Sequence, residues 1–342
     1  MKMGILTLLL AIPGGSTLTL PPQAQDGPMG EFLKRTVQLN ASQMAALEGG
    51  EVVTKQLPAD EKADVAVFGA VRIAASPERY VERFRDIAAF RRSRTVAEVG
   101  KFGETPTIGD VQGLTLDDED FVAAKKCRPG KCDIKLARSA IERMHADINW
   151  SASDARARAA AVLRQVMVDF VVTYRRGGAK ELATYLDKEH PVDASKEFGV
   201  LLDSARYLID YVPEFHRYIS TYPSGKLEGV EDFFYWIKES GGPKPTVSVF
   251  HVSIWRDPRG PILISSKQIY ASHFVRVGLD IVALVPSNPG AGDFYLLNLY
   301  RGRIDPPGGL IGSALIGKIR GSVENNLREE LKSGKARTLA HP

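Results

Sequence analysis

The chain has 342 residues, with 45 Lys and Arg against 41 Asp and Glu, a formal charge of +4. Hydrophobic residues make up 44% and charged residues 25%, proportions that exclude a disordered chain, a collagen and a polytopic membrane protein. Two cysteines are too few for a disulfide scaffold, and a small charge spread along the chain does not point to nucleic acid.

Met1-Lys2-Met3 is a short basic start to the apolar run Gly4–Ile12. That run has the length of a signal-peptide core and falls short of the ~20 residues that span a bilayer. Pro13-Gly14-Gly15 breaks it, and no acid precedes Asp26. Residues 1–24 are therefore expected to be a signal peptide, cut after Ala24 or, alternatively, after Ser16. The protein is expected to be exported (periplasmic or secreted), with no transmembrane segment left after cleavage. A buried N-terminal strand is the competing reading.

Ser42–Leu47 starts a short helix that Gly49-Gly50 stops, and Glu51–Leu57 reads as a strand. In the next strand Val65, Val67, Gly69, Val71 and Ile73 share one face at period two. Ser76-Pro77-Glu78 then reads as a helix start: an N-cap, a proline at the first position and an acid in the first turn. The basic run Arg91-Arg92-Ser93-Arg94 is expected to be a solvated face.

Cys127 and Cys132 flank Arg-Pro-Gly-Lys. Pro129-Gly130 suits the centre of a type II turn, which folds the chain back and predicts a disulfide in an oxidising compartment. A loop this short contributes only about 2 kcal/mol, so the bond is a local clip.

Residues 95–243 read as a helical insertion. Helices are predicted at 136–148, 155–176, 179–187, 195–210, 213–221 and 230–239, the last carrying Phe233, Phe234, Tyr235 and Trp236. Beyond Gly241-Gly242-Pro243 the composition turns to β-branched and aromatic residues. Four strands are expected at 246–255, 262–274, 277–285 and 294–304, joined in meander order and hence antiparallel. A helix from about 309 to 333 follows, with Leu315, Ile316, Ile319, Val323, Leu327 and Leu331 as its apolar stripe.

This order of elements resembles the START-like helix-grip (SRPBCC) superfamily of lipid-transfer and polyketide-cyclase-type proteins. The resemblance is carried by Val71–Asp86, a strand running into a Ser-Pro-Glu helix, and by the antiparallel strands and long helix of 244–335. The chain as a whole also resembles uncharacterised exported bacterial proteins. The resemblance implies an α+β fold: a curved antiparallel sheet gripping the C-terminal helix around a cavity for an apolar ligand. The parts 51–94 and 244–335 would form that domain, with 95–243 inserted.

Candidate chemistry is sparse. Gly312–Ile319 approaches a P-loop, but Ile319 stands where a hydroxyl is needed and the apolar stripe makes the segment helical. Lys267 and His273 fall on one face of a strand with Tyr270 on the other, so the three form no triad. Arg301 and Arg303 share a face of the last strand, with Asp305 at its end; pinning the strand is the favoured role, and Arg301 is the first choice for a polar anchor. Ligand contacts are thus expected from Arg301, Lys267, His273 and Tyr270, with no cofactor or metal. The expected function is non-enzymatic binding of an apolar or amphipathic small molecule such as a lipid. The alternatives are a cyclase or hydrolase with His273 and Lys267 as acid–base groups, and an interaction module presenting Phe233–Trp236.

Overall fold

A computed structural model describes residues 27–59, 64–240, 244–288, 290, 292–305 and 312–340. The expected signal segment lies outside these residues.

Eight strands form one sheet. They are β1 (Val53–Gln56), β2 (Asp64–Ile73), β3 (Val96–Lys101), β6 (Glu231–Glu239), β7 (Thr246–Arg256), β8 (Ile262–Ala271), β9 (Val275–Pro286) and β10 (Phe294–Ile304). The two-residue strands β4 (Thr184–Tyr185) and β5 (Val192–Asp193) pair separately. The large sheet runs β1-β2-β10-β9-β8-β7-β6-β3, antiparallel throughout. β2 pairs with β10 over ten residues, Phe294 opposite Ile73 through Arg303 opposite Asp64, so the early and late β segments are one sheet.

Both faces are covered. Over one lie α3 (Pro77–Arg85), α4 (Ile87–Arg91) and the long C-terminal α11 (Gly312–Leu339). Ser76 caps α3 by accepting the Arg79 amide hydrogen, and Asp86 caps α4 through the Ala89 amide. Tyr80, Val81, Phe84, Ile87 and Phe90 then point at the sheet, joined by Ile316, Leu327 and Leu331 of α11. Each fully buried side chain of this kind contributes about 1.5–3 kcal/mol. At Gly69 of β2 an added Cβ would stand 2.5 Å from Leu331 Cδ1, so the absence of a side chain there sets how closely α11 approaches. This is the predicted α+β architecture, a curved antiparallel sheet gripping a long C-terminal helix.

Over the other face lie α1 (Gly27–Glu31), a π turn (Phe32–Thr36), α2 (Ala41–Glu48) and the helices of the insertion. Those are α5 (Asp118–Lys126), α6 (Arg138–Asp147), α7 (Ala155–Gly177), α8 (Ala194–Ser204), α9 (Arg206–Tyr211) and α10 (Pro213–Thr221). α7 ends at Gly177-Gly178; Gly178 has φ +68°, and a Cβ there would lie 1.8 Å from the Tyr222 carbonyl oxygen. Cys127 and Cys132 form the expected disulfide, inside a small core of α5, α6 and the start of α7.

The insertion departs from its expected form at several places. Residues 231–239 are not a helix but strand β6, in register with nine residues of β7. Its aromatic and β-branched centre suits a pleated surface buried on both sides. β3 extends the sheet further, so both ends of the 95–243 segment belong to the sheet and its helical part runs from about 102 to 230. The helix expected at 179–187 is a short 3-10 turn followed by β4, and that expected at 195–210 breaks at Ala205. Phe234, Tyr235 and Trp236 are all at most 4% exposed, which removes the aromatic surface on which the interaction-module reading rested.

Candidate functional site

The sheet face gripped by α11 is mostly apolar, with a polar patch within it. Val65, Val67, Val71, Val252, Ile254, Ile264, Val282, Leu284 and Leu296 supply the apolar part. Within it, one cross-strand row reads Ser266 of β8, Asp280 of β9 and Tyr300 of β10. Asn298 stands two residues from Tyr300 on the same side, opposite Val282. At the β6 end, the Tyr235 ring stacks on Phe250 with centroids 4.9 Å apart. Above this patch, Arg91 at the end of α4 reaches Glu330 of α11 at 3.2 Å, an ion pair that joins the two covering elements.

Four polar atoms of this cluster, Asp280 Oδ1, Asn298 Oδ1, Tyr235 Oη and Arg91 Nε, are shielded from solvent without a well-aligned hydrogen bond among the described residues, although Arg91 lies within reach of Tyr235 and Asn298 within reach of Asp280. An unpaired buried atom costs about 1–3 kcal/mol, and the insertion face holds others without an aligned partner, at Tyr185, Asp187, Tyr207 and Arg301. Those of the gripped face are electrostatically coupled. Burial pushes the Asp280 carboxyl up to about 7, with Arg91 pulling it down and Glu330 adding to the rise. Burial likewise raises Tyr235 to about 12 against the pull of Arg91, and raises Glu239. Burial works against the Arg91 charge, but Tyr235, Glu330, Asp280 and Glu239 outweigh it, and the guanidinium stays cationic. Asp280 and Tyr300 keep some exposure on this face.

The residues expected to bind ligand lie elsewhere. Lys267 is 1% exposed and faces the insertion, where Nζ donates to the Ile219 carbonyl at 2.9 Å among the rings of Tyr174, Phe198 and Tyr222. Tyr270 faces the same way, not the opposite one. Val249 pairs with Tyr270 and Phe250 with Gln268, so Ile269 is the extra residue of a β-bulge that resets the alternation. Tyr270 donates to the Lys135 carbonyl and lines two small adjoining apolar clefts against Val166 and Met167 of α7. His273, past the end of β8, lies 3.0 Å from Asp120 of α5, buried against the insertion. Arg301 donates to Ser204 at 3.4 Å beside Tyr207. These four side chains neither meet one another nor enter the gripped space.

Arg303 and Asp305 do pin the strand, through a chain of ion pairs. Arg303 contacts Glu197 and Asp64, while Asp305 contacts Lys135 at 2.7 Å and Arg276 at 3.1 Å. A second polar group on the insertion face joins Asp232, His251, Ser253, Tyr218 and Tyr174. His251 Nε2 is 2.8 Å from Asp232 Oδ1, and Nδ1 is 3.4 Å from Tyr174 Oη. Burial and the nearby Lys267 lower His251 to about 4, so it is a neutral ring holding helices to the sheet. Among the described residues no group of His, Cys, Asp and Glu could hold a metal ion. No helix among them is long and apolar enough to cross a membrane.

No family model matches the chain, and no curated protein does. Among solved structures it is similar to a STAR-related lipid transfer protein of Xanthomonas axonopodis, at 12% identity and a TM-score of 0.39. That likeness covers 84% of this chain and 94% of the other. A second is to the di-domain ARO/CYC protein BexL of a biosynthetic pathway, at 11% identity and a TM-score of 0.23, covering 91% of this chain and 94% of that one. Likenesses this distant assign neither ligand nor activity, and the architecture stands on the chain's own elements.

Proposed function

We propose that this chain is an exported, non-enzymatic protein that binds an apolar or amphipathic small molecule of lipid type between its sheet and the elements α3, α4 and α11. The observation that carries the proposal is a patch of buried polar groups without well-aligned partners, Asp280, Asn298, Tyr235 and Arg91, on the otherwise apolar sheet face under α4 and α11. An apolar body with a polar end matches both parts of the lining. In this reading residues 51–94 and 244–335 make the binding domain, and the helical insertion covers the far face of its sheet. Non-enzymatic binding is supported by the separation of Lys267 from His273, the pair on which the cyclase or hydrolase alternative depends.

The test is solvent extraction of the purified full chain followed by mass spectrometry. One class of amphiphile at near-stoichiometric yield is expected; an empty protein that also takes up no apolar dye would overturn the proposal. Export is motivated by residues 1–24 and by the disulfide of Cys127 with Cys132. N-terminal sequencing of the protein from the exported fraction should begin after Ser16 or Ala24, and a retained Met1 would contradict it.

A further inference from the structure

The C-terminal end of α11 gathers arginines from three parts of the chain. Arg79 and Arg83, one turn apart on α3, both donate to the Ala340 carbonyl, at 2.5 and 3.4 Å. Arg337 of α11 donates to the carbonyls of Phe90 and Arg92, which ties the same end to α4 and the loop after it. Arg92 and Arg94 of that loop are exposed. The neighbouring acids are mostly committed: Glu78 to Arg256, Glu330 to Arg91 and Glu329 to Lys332. Glu82 and Asp86, the cap of α4, remain on the acidic side of the balance. Against them, Arg79, Arg83, Arg92, Arg94 and Arg337 pair with no carboxylate among the described residues.

Capping a helix C-terminus accounts for one arginine on a carbonyl. It does not account for a second guanidinium on the same oxygen, or for Arg337 held close to Arg91. Burial and the like charge of Arg91 both lower the Arg337 guanidinium, with Glu330 opposing them. Like charges gathered without counter-charges repel one another and attract an anionic partner. Leu339, on the same last turn, is 40% exposed. Guanidinium forks around an exposed leucine match the two layers of a bilayer interface, phosphate oxygens at the headgroups and acyl chains beneath. A soluble acidic polymer engages the charges and gives the leucine nothing. We propose that this end of the molecule is a docking surface for an anionic lipid bilayer, formed by Arg79, Arg83, Arg92, Arg94, Arg337 and Leu339.

The experiment is co-sedimentation of the full chain with vesicles of phosphatidylcholine, alone or mixed with phosphatidylglycerol. Binding to the mixed vesicles, little binding to the neutral ones and release by high salt are expected. Arg92→Gln with Arg94→Gln alters only exposed side chains and should weaken binding to the mixed vesicles at least about tenfold. Lys180→Gln with Lys226→Gln removes the same charge from exposed positions of the insertion and should leave binding within about twofold. Leu339→Ser should weaken binding about fivefold without changing its salt dependence. No binding to the mixed vesicles, equal binding to both kinds, or equal loss in the arginine and lysine variants overturns the docking surface. Unchanged binding by Leu339→Ser overturns the part assigned to the leucine, and with it the preference for a bilayer over a soluble polyanion.

Discussion

Replacing Lys267 by methionine keeps a long unbranched side chain and removes the most deeply buried amine on the insertion face. Burial is the principal cause that lowers the Lys267 amine to about 7 from an ordinary 10.5, with Asp232 opposing it weakly. The difference of about 3.5 pH units corresponds to ~5 kcal/mol for a residue that is 1% exposed. The folded-state pKa is depressed, so between pH 7 and 10.5 the unfolded chain binds more protons than the folded one. Stability from this group is therefore full above 10.5 and is lost as pH falls towards 7. The slope approaches 1.4 kcal/mol per pH unit, or ~2–3 kcal/mol between pH 7.5 and 9.5. Lys267→Met should abolish that slope. At pH 7.5 it removes roughly 4 kcal/mol of penalty and leaves the Ile219 carbonyl, now 2.9 Å from the lysine Nζ, without its donor at a cost of about 1–3 kcal/mol. The variant is thus expected to be ~1–3 kcal/mol more stable than the natural chain at pH 7.5 and no more stable near pH 10. Urea unfolding across this range gives both curves. Parallel curves, or a variant destabilised by several kcal/mol at pH 7.5, would refute the reasoning that this amine is held nearly neutral inside the protein.

On the opposite face the sign reverses: burial raises Asp280 from 3.8 to about 7, so stability falls as pH rises through that interval. Asp280→Asn should stabilise the ligand-free chain at pH 8 by ~2 kcal/mol, the full shift discounted for partial contact with solvent, and leave it unchanged at pH 4, as read by thermal melting. Gly69→Val drives a side chain into Leu327 and Leu331 and should cost ~1–3 kcal/mol while loosening α11, seen as faster amide exchange over residues 323–335. Cys127→Ser with Cys132→Ser should cost about 2 kcal/mol in urea and leave the sheet's circular dichroism unchanged, because the loop belongs to a separate small core.

The late strands and the final helix were legible because turn residues such as Asp257-Pro258 and Pro286-Ser287 bracket β-branched runs. The pairing of β2 with β10 was not, since it joins segments more than 200 residues apart and leaves no local trace. β6 is not distinguishable from a helix in the sequence, because Phe233–Ile237 is an unbroken apolar run for which periodicity cannot separate a doubly buried strand from a helix. Tyr270 lies on the face opposite to the one that strict alternation predicts, because one bulged residue inverts the parity of everything beyond it. Lys267 and Arg301 stand out as charges on strands, but they serve the contact with an insertion whose docking side the sequence does not reveal. Asp280 carried a readable signal: it is the one carboxylate within Val277–Val285, an otherwise apolar strand. Arg91 belongs to a basic run whose composition predicts a solvated face, and only the fold brings it under α11 beside Glu330.

The central claim concerns which face of the sheet holds the ligand, and photoaffinity mapping tests it most directly. A dodecanol analogue bearing a diazirine on its chain, bound to the full chain and activated by light, should label peptides of β9, β10, α4 and α11. Labelling should be competed by dodecanol. Labels confined to α7 and to the β8 segment around Tyr270, where the small apolar clefts of the opposite face lie, would contradict the account.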